Sequence, residues 1–136
     1  MGFLNKIFKK DVDKYALIKQ LAKQRIRSDP FAKAMGVKES EVDKLSKMHL
    51  MGLPEATIVS IVETWASLRK EGANEGEIFQ LIEEHRKKLK GGHELPDPIN
   101  LESYIKYRVK VENESGSPVY EPFIDDAIEI CKAKFL

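Results

Sequence analysis

Apolar residues recur every three and four positions along most of this chain, the spacing that puts them on one side of an α-helix. Val12, Tyr15, Ile18, Leu21, Ala22 and Ile26 form such a stripe between a cap at Asp11 and Arg27. Asp29-Pro30 then restarts the chain, with Asp as cap and Pro at a first helical position, and the turn Phe31 to Met35 ends at Gly36. Ser40 caps a helix expected to run to Gly52 and to bury Val42, Leu45 and His49, with Met48, Leu50 and Met51 beside them. Pro54 opens the next, which carries Ile58, Ile61, Val62, Trp65 and Leu68 on one face. Asn74 opens a third, with Glu77 in capping-box relation, expected to bury Ile78, Leu81, Ile82, His85 and Leu89 before Gly91-Gly92.

The other face of the Pro54 helix departs from the usual solvated pattern. Ala56, Val59, Ser60, Glu63 and Ser67 are mostly small and carry little charge. Such a face admits a second helix at close range. The pattern predicts a central helix contacted on two sides, or one that leaves an interaction surface.

After Gly92 the chain changes character. His93 to Asn100 contains Pro96 and Pro98 and reads as a linker. Residues 101–112 admit two readings. Leu101, Tyr104, Ile105 and Val109 fit a helix capped by Asn100; Ile105, Tyr107, Val109 and Val111 alternate with charged residues, as in one strand of a short β-hairpin near 105–121. Helix is preferred, since an isolated hairpin is marginal in water. A last helix from about Pro122 places Ile124, Ala127, Ile128, Cys131 and Phe135 together. The expected fold is all-α: a compact bundle of about five to six helices with short turns. Its divisions are a segment 1–10, a helical core 11–92, and a linker with C-terminal helical extension 93–136.

Length and composition agree with this. A chain of 136 residues suits one domain and can bury a core without staples. Its 42% hydrophobic and 33% charged residues mark a globular chain somewhat rich in charge, with no apolar run long enough for a membrane helix. The start lacks the apolar stretch and small-residue site of a secretory signal. The single cysteine, Cys131, excludes an internal disulfide framework and fits a reducing compartment, so the cytoplasm is expected.

Net charge is +1, unevenly spread. Residues 1–27 hold eight basic against two acidic groups, whereas 93–136 hold five against nine. The basic start could meet an anionic partner, or equally the acidic tail of its own chain or of a second copy. Within it, Phe3, Leu4, Ile7 and Phe8 lie at helical spacing beside Lys6, Lys9 and Lys10, the composition of a short segment that lies on an anionic membrane or docks in a groove, although an N-terminal turn packed on the core is the preferred reading. Gly2 does not begin a myristoylation motif, because position 6 is Lys.

Catalytic signals are poor. The chain has no glycine-rich phosphate loop, no cysteine pair and no nucleophile-elbow pattern. His49, His85 and His93 are dispersed, and Cys131 lies on an apolar face, where an inert thiol is expected. No catalytic, cofactor-binding or metal-binding residue is assigned. Gly52 to Ile58 has the form of a helix-turn-helix corner, but its leading face offers Glu55, Ala56, Val59, Ser60 and Glu63 rather than bases and amides. The functional expectation is a non-catalytic protein-interaction or regulatory module that meets a protein partner or a second copy. Its contact residues would be Ala56, Val59, Ser60, Glu63 and Ser67, or the segment Phe3, Leu4, Lys6, Ile7, Phe8, Lys9 and Lys10. The alternatives are a helix-turn-helix-like nucleic-acid binder and a peripheral membrane protein.

Overall fold

Asp13 opens the first helix: its extended backbone and its carboxylate, which accepts from Ala16 N at 3.1 Å, satisfy a donor that the helix start leaves free. The computed structural model describes residues 12–90, 95–112 and 119–136, with 87–90 by their backbone alone; the notional cap Asp11 lies outside them. Eight helices appear among the described residues, and no strand. They are α1 (Lys14–Ser28), α2 (Pro30–Ala34), α3 (Ser40–Asp43), α4 (Lys47–Met51), α5 (Pro54–Lys70), α6 (Glu75–Lys90), α7 (Leu101–Glu112) and α8 (Glu121–Phe135). The fold is all-α, with five long helices and three short ones.

The helix expected over 40–52 is two short helices. Ser46 is extended and its hydroxyl accepts from His49 N at 3.3 Å, so it caps α4 and breaks the run. Before it, Lys44 N and Leu45 N reach only three residues back, to Glu41 and Val42. The break turns His49 outward and buries Leu50, the reverse of the expected pair.

Proline at the first turn and the cap Leu53 start α5, which is seventeen residues long. It packs most extensively on α8 and also meets α7, α1, α6 and α4. Ile58, Ile61, Val62 and Trp65 are buried as expected, and so are Ala56, Val59 and Ala66 from the sparsely charged face. Ser60, Thr64 and Ser67 form the narrow stripe left to water.

Gly72, at φ +97, allows the turn into α6, a conformation that costs an L side chain strain. Asn74 and Glu77 form the expected capping box: Asn74 Oδ1 accepts from Glu77 N at 2.9 Å and Glu77 Oε1 from Asn74 N at 3.2 Å. The buried stripe of α6 is rotated from the expected one. Ile78, Phe79, Glu83 and Arg86 are buried, Ile82 is half-buried, and Leu81 and His85 are exposed; the side chain of Leu89 lies outside the description. Residues 101–112 are helical rather than a hairpin strand. Asn100 Oδ1 accepts from Ser103 N at 2.9 Å, and the helix buries Leu101, Tyr104, Ile105 and Val109. In α8, Phe123, Ile124, Ala127, Ile128 and Cys131 complete the core, with Phe135 partly covered.

Candidate functional site

Three helices of four or five residues fill the corner between α1 and α5, and their shortness creates the first candidate surface. A helix of one turn can turn only about one side chain inward. Ala32, Val42 and Leu50 take that role in α2, α3 and α4. The neighbouring apolar residues remain outside: Phe31 is 57% and Met35 66% exposed, with Val37, Met48 and Met51 also open to water. Asp29 fixes the start of α2 by accepting from Phe31 N at 2.9 Å. Gly36, at φ +70, turns the chain away after Met35.

The result is a hollow of about 440 Å³ floored by Ala22, Ile26 and Val42 and walled by Phe31, Met35 and Val37. A second hollow of about 290 Å³ shares Gly52, Leu53 and Pro54 with it and extends the trough to Met51 and Val109. Arg25 lines the first hollow and holds Glu55 beneath, through Nε at 2.7 Å and Nη2 at 3.2 Å. Burial pushes the Glu55 carboxyl up, against the pull of Arg25.

Charge around the trough is mixed, with exposed Glu41 in the wall of the first hollow making no ion pair among the described residues, and basic groups in excess around it. Glu39 and Asp43 are engaged by Arg27 at 3.3 Å and Lys23 at 2.7 Å. The Lys23 bond holds the exposed Asp43 carboxyl below the usual carboxylate range. Lys47 lies 4.9 Å from the centre of the Tyr15 ring. Lys33, Lys38 and Lys44 are exposed and make no ion pair among the described residues.

Of the residues the sequence singled out on α5, Ala56 and Val59 are buried within the chain and unavailable to a partner. Ser60 and Ser67 are exposed, and Glu63 accepts from Lys14 Nζ at 3.2 Å. Glu55, read as part of an outer leading face, is completely buried. Phe3, Leu4, Lys6, Ile7, Phe8, Lys9 and Lys10 lie outside the described residues. The helix before the Gly52 turn, the first arm of the helix-turn-helix form, has five residues. Lys14, Lys23, Arg25 and Arg27 each face a carboxylate between residues 39 and 63. These four basic residues are thus paired with the middle of the chain rather than with its acidic C-terminal part, while Lys6, Lys9 and Lys10 lie outside the described residues. The trough residues Phe31 and Met35 were missed. Their signal was an apolar pair in a segment too short to bury both.

A second arrangement joins α6, α7 and α5 through a polar network in the core. Arg86 Nε donates to Glu83, and Arg86 Nη2 donates to Tyr107 Oη at 3.0 Å. Tyr104 Oη donates to Glu83 Oε2 at 3.4 Å and accepts from Arg108 Nη1 at 3.0 Å. Arg108 grips Glu112 through Nε at 3.1 Å and Nη2 at 2.5 Å, and Thr57 donates to the same carboxylate at 2.8 Å. Phe79 stacks on Tyr104 with ring centres 5.0 Å apart. Burial pushes the Tyr104 hydroxyl up to about 12. Arg86 Nη1 is buried and has no hydrogen-bond partner. Beside the network lies a cavity of about 300 Å³, with Thr64, Leu68, Leu81, Ile82, His85, Arg86, Arg108 and Glu112 in its wall.

Neither arrangement contains an activated nucleophile. Cys131 is fully buried and its thiol is pushed up to about 12, so it stays protonated at neutral pH. Among the described residues no group of three or more His, Cys, Asp or Glu side chains is placed to hold a metal ion, and no helix is long and apolar enough to cross a membrane. No protein-family model, curated protein or solved structure matches the chain.

Proposed function

We propose that this protein is a non-catalytic interaction module that takes an acidic amphipathic segment of a partner protein into the trough between α1, α2 and α5. The observation that carries this reading is the apolar trough itself, with Phe31 and Met35 more than half exposed above it. Apolar side chains are drawn to such a lining, and methionine adapts its shape to the occupant. Helix-in-groove recognition uses anchors at three- and four-residue spacing against a lining of this kind. The uncompensated Lys33, Lys38 and Lys44 favour carboxylates flanking those anchors. Nucleic-acid binding draws less support, because four basic residues of the first 27 already face carboxylates of the chain. A reducing compartment such as the cytoplasm suits the lone thiol.

Selection of a random peptide library on the immobilised full chain tests the proposal. Enriched peptides should carry apolar residues at helical spacing with Asp or Glu beside them. Their affinity should fall at least tenfold in Phe31→Asp and in Met35→Glu, with melting temperature unchanged because both sites are exposed. Enriched peptides that bind both variants undiminished, or basic peptides in place of acidic ones, would overturn it. A second copy as occupant would instead show as concentration-dependent sedimentation abolished by Met35→Glu.

A further inference from the structure

We propose that the cavity between α5, α6 and α7 is the docking site of the chain's own residues 3–8, independently of the trough. Its mouth is apolar. Leu68 and Ile82 are half-buried in the wall of this cavity of about 300 Å³, and Leu81 beside them is 52% exposed. A leucine open to water at the mouth of a hollow gains by burial against another apolar side chain.

Reach singles out the occupant. Lys14 pairs with Glu63 at 3.2 Å and Arg25 with Glu55 at 2.7 Å, so α1 runs antiparallel to α5. The residues before Lys14 are therefore tethered at the level of Glu63. Thr64 and Leu68, the next residues of α5 in the cavity wall, lie within about 7.5 Å of Glu63 along the helix axis. Ile7 and Phe8 precede Lys14 by seven and six residues, and an extended chain covers about 3.3 Å per residue, so the segment reaches the cavity with slack. The trough lies at the other end of α1, beside Arg25 and Ile26, about 16 Å from Lys14.

The chemistry of the two surfaces matches. Phe3 with Ile7 and Leu4 with Phe8 stand four residues apart, so one or two helical turns present all four on one side. So short a segment holds no helix in water unaided, and burial of its stripe supplies the stabilisation. Lys6, Lys9 and Lys10 accompany that stripe. At the cavity, Arg86 and Arg108 are matched by Glu83 and Glu112. Arg69 and Lys70, at the end of α5, donate to the backbone oxygens of Ala73 and Phe135. Glu77 and Glu84, four residues before Leu81 and three after it, are exposed and make no ion pair among the described residues. The lysines meet carboxylates here, whereas the excess of basic groups at the trough repels them.

Paramagnetic broadening in the full chain tests this. A nitroxide is attached through Asn5→Cys, and leucine, isoleucine and valine methyl groups are labelled. Cys131 is fully buried with its thiol pushed up to about 12, and does not take the nitroxide. The methyl signals of Leu68, Leu81 and Ile82 should lose most of their intensity, while those of Ile26 and Val42 in the trough keep theirs. Ile7→Asp/Phe8→Asp, which changes nothing in the cavity wall, should restore the lost signals. Leu81→Lys, at an exposed position, should restore those of Leu68 and Ile82. Full intensity at Leu81 and Ile82 without these changes overturns the proposal, as does broadening that Ile7→Asp/Phe8→Asp leaves intact. Broadening of Ile26 and Val42 in their place would give the segment to the trough. Broadening passed from a nitroxide-bearing chain to a methyl-labelled chain without nitroxide would give the cavity to a second copy, and either result sinks the proposal.

Discussion

A buried charge is the residue-scale feature with the clearest consequence. Glu55 is inaccessible to water and depends on the largely buried Arg25. Removing one partner of such a pair leaves the other uncompensated, at a cost of about 3–5 kcal/mol. Arg25→Met should therefore destabilise strongly at neutral pH. Burial already raises the Glu55 carboxyl, and loss of Arg25 removes the interaction that opposes it. An unfolded glutamate titrates near about 4.3. Between that value and the raised folded value, the folded state keeps a proton that the unfolded state has lost, so stability rises as pH falls through the window. Urea unfolding at neutral pH and near pH 5 should show Arg25→Met recovering part of its loss on acidification. In Arg25→Met/Glu55→Gln that recovery should vanish. A pH-independent defect in the single variant would mean that water reaches the carboxylate.

At the scale of elements, α5 explains most of the packing, and two adjacent residues on it divide sharply. Val59 is buried and Ser60 exposed, although both belong to the face with little charge. Val59→Arg buries an unpaired guanidinium and should prevent folding or cost several kcal/mol. Ser60→Arg should stay within about 0.5 kcal/mol of the wild-type stability, as surface changes usually do. Thermal melts of the two variants decide this. A large loss in Ser60→Arg would place a further packing surface on that stripe. The helix α6 teaches the complementary point. Its inward stripe contains Glu83 and Arg86, which are tolerated in the core because they neutralise each other and each is bonded to a tyrosine hydroxyl, with only Nη1 of Arg86 left without a partner. A rule that sends charge outward rotates the helix, and places Leu81 and His85 inside by mistake.

For the whole molecule, the last two helices contribute to the core rather than decorating it. Both α7 and α8 pack on α5, and each brings a buried acidic proton to the interior, on Tyr104 and on Cys131. Burial raises both groups to about 12. Unfolded Cys and Tyr ionise near about 8.5 and 10. Below these values both states hold the protons and the contribution is fully present; between them and about 12 only the unfolded state gives them up, so stability is lost as pH rises. Melting temperature should decline progressively above about pH 8.5, and Cys131→Ala should remove the earlier part of the decline. A thiol reagent should fail to label the native protein and succeed in denaturant. Identical alkaline profiles for the two proteins would show that Cys131 is not sealed in.

The local signals written in the chain were sufficient for the fold class and for most helix boundaries. Caps act over three or four residues, so Asp29-Pro30, Leu53-Pro54, Asn74 with Glu77, and Asn100 each start a helix regardless of what surrounds it. Periodicity likewise located the buried faces of α1 and α8, where apolar and polar residues separate cleanly. Sequence did not determine the break at Ser46, because a serine is equally at home inside a polar helix face and at a cap. Nor did it determine which side of the weakly charged α5 face is covered, since that depends on where another helix lands. The candidate sites fell wholly to tertiary structure. The trough exists because short helices cannot bury Phe31 and Met35 together with their inward residues, and the cavity exists because two arginines from separate helices converge beside α5. Such placements are set by contacts between residues far apart in the chain, on which neither capping nor periodicity depends.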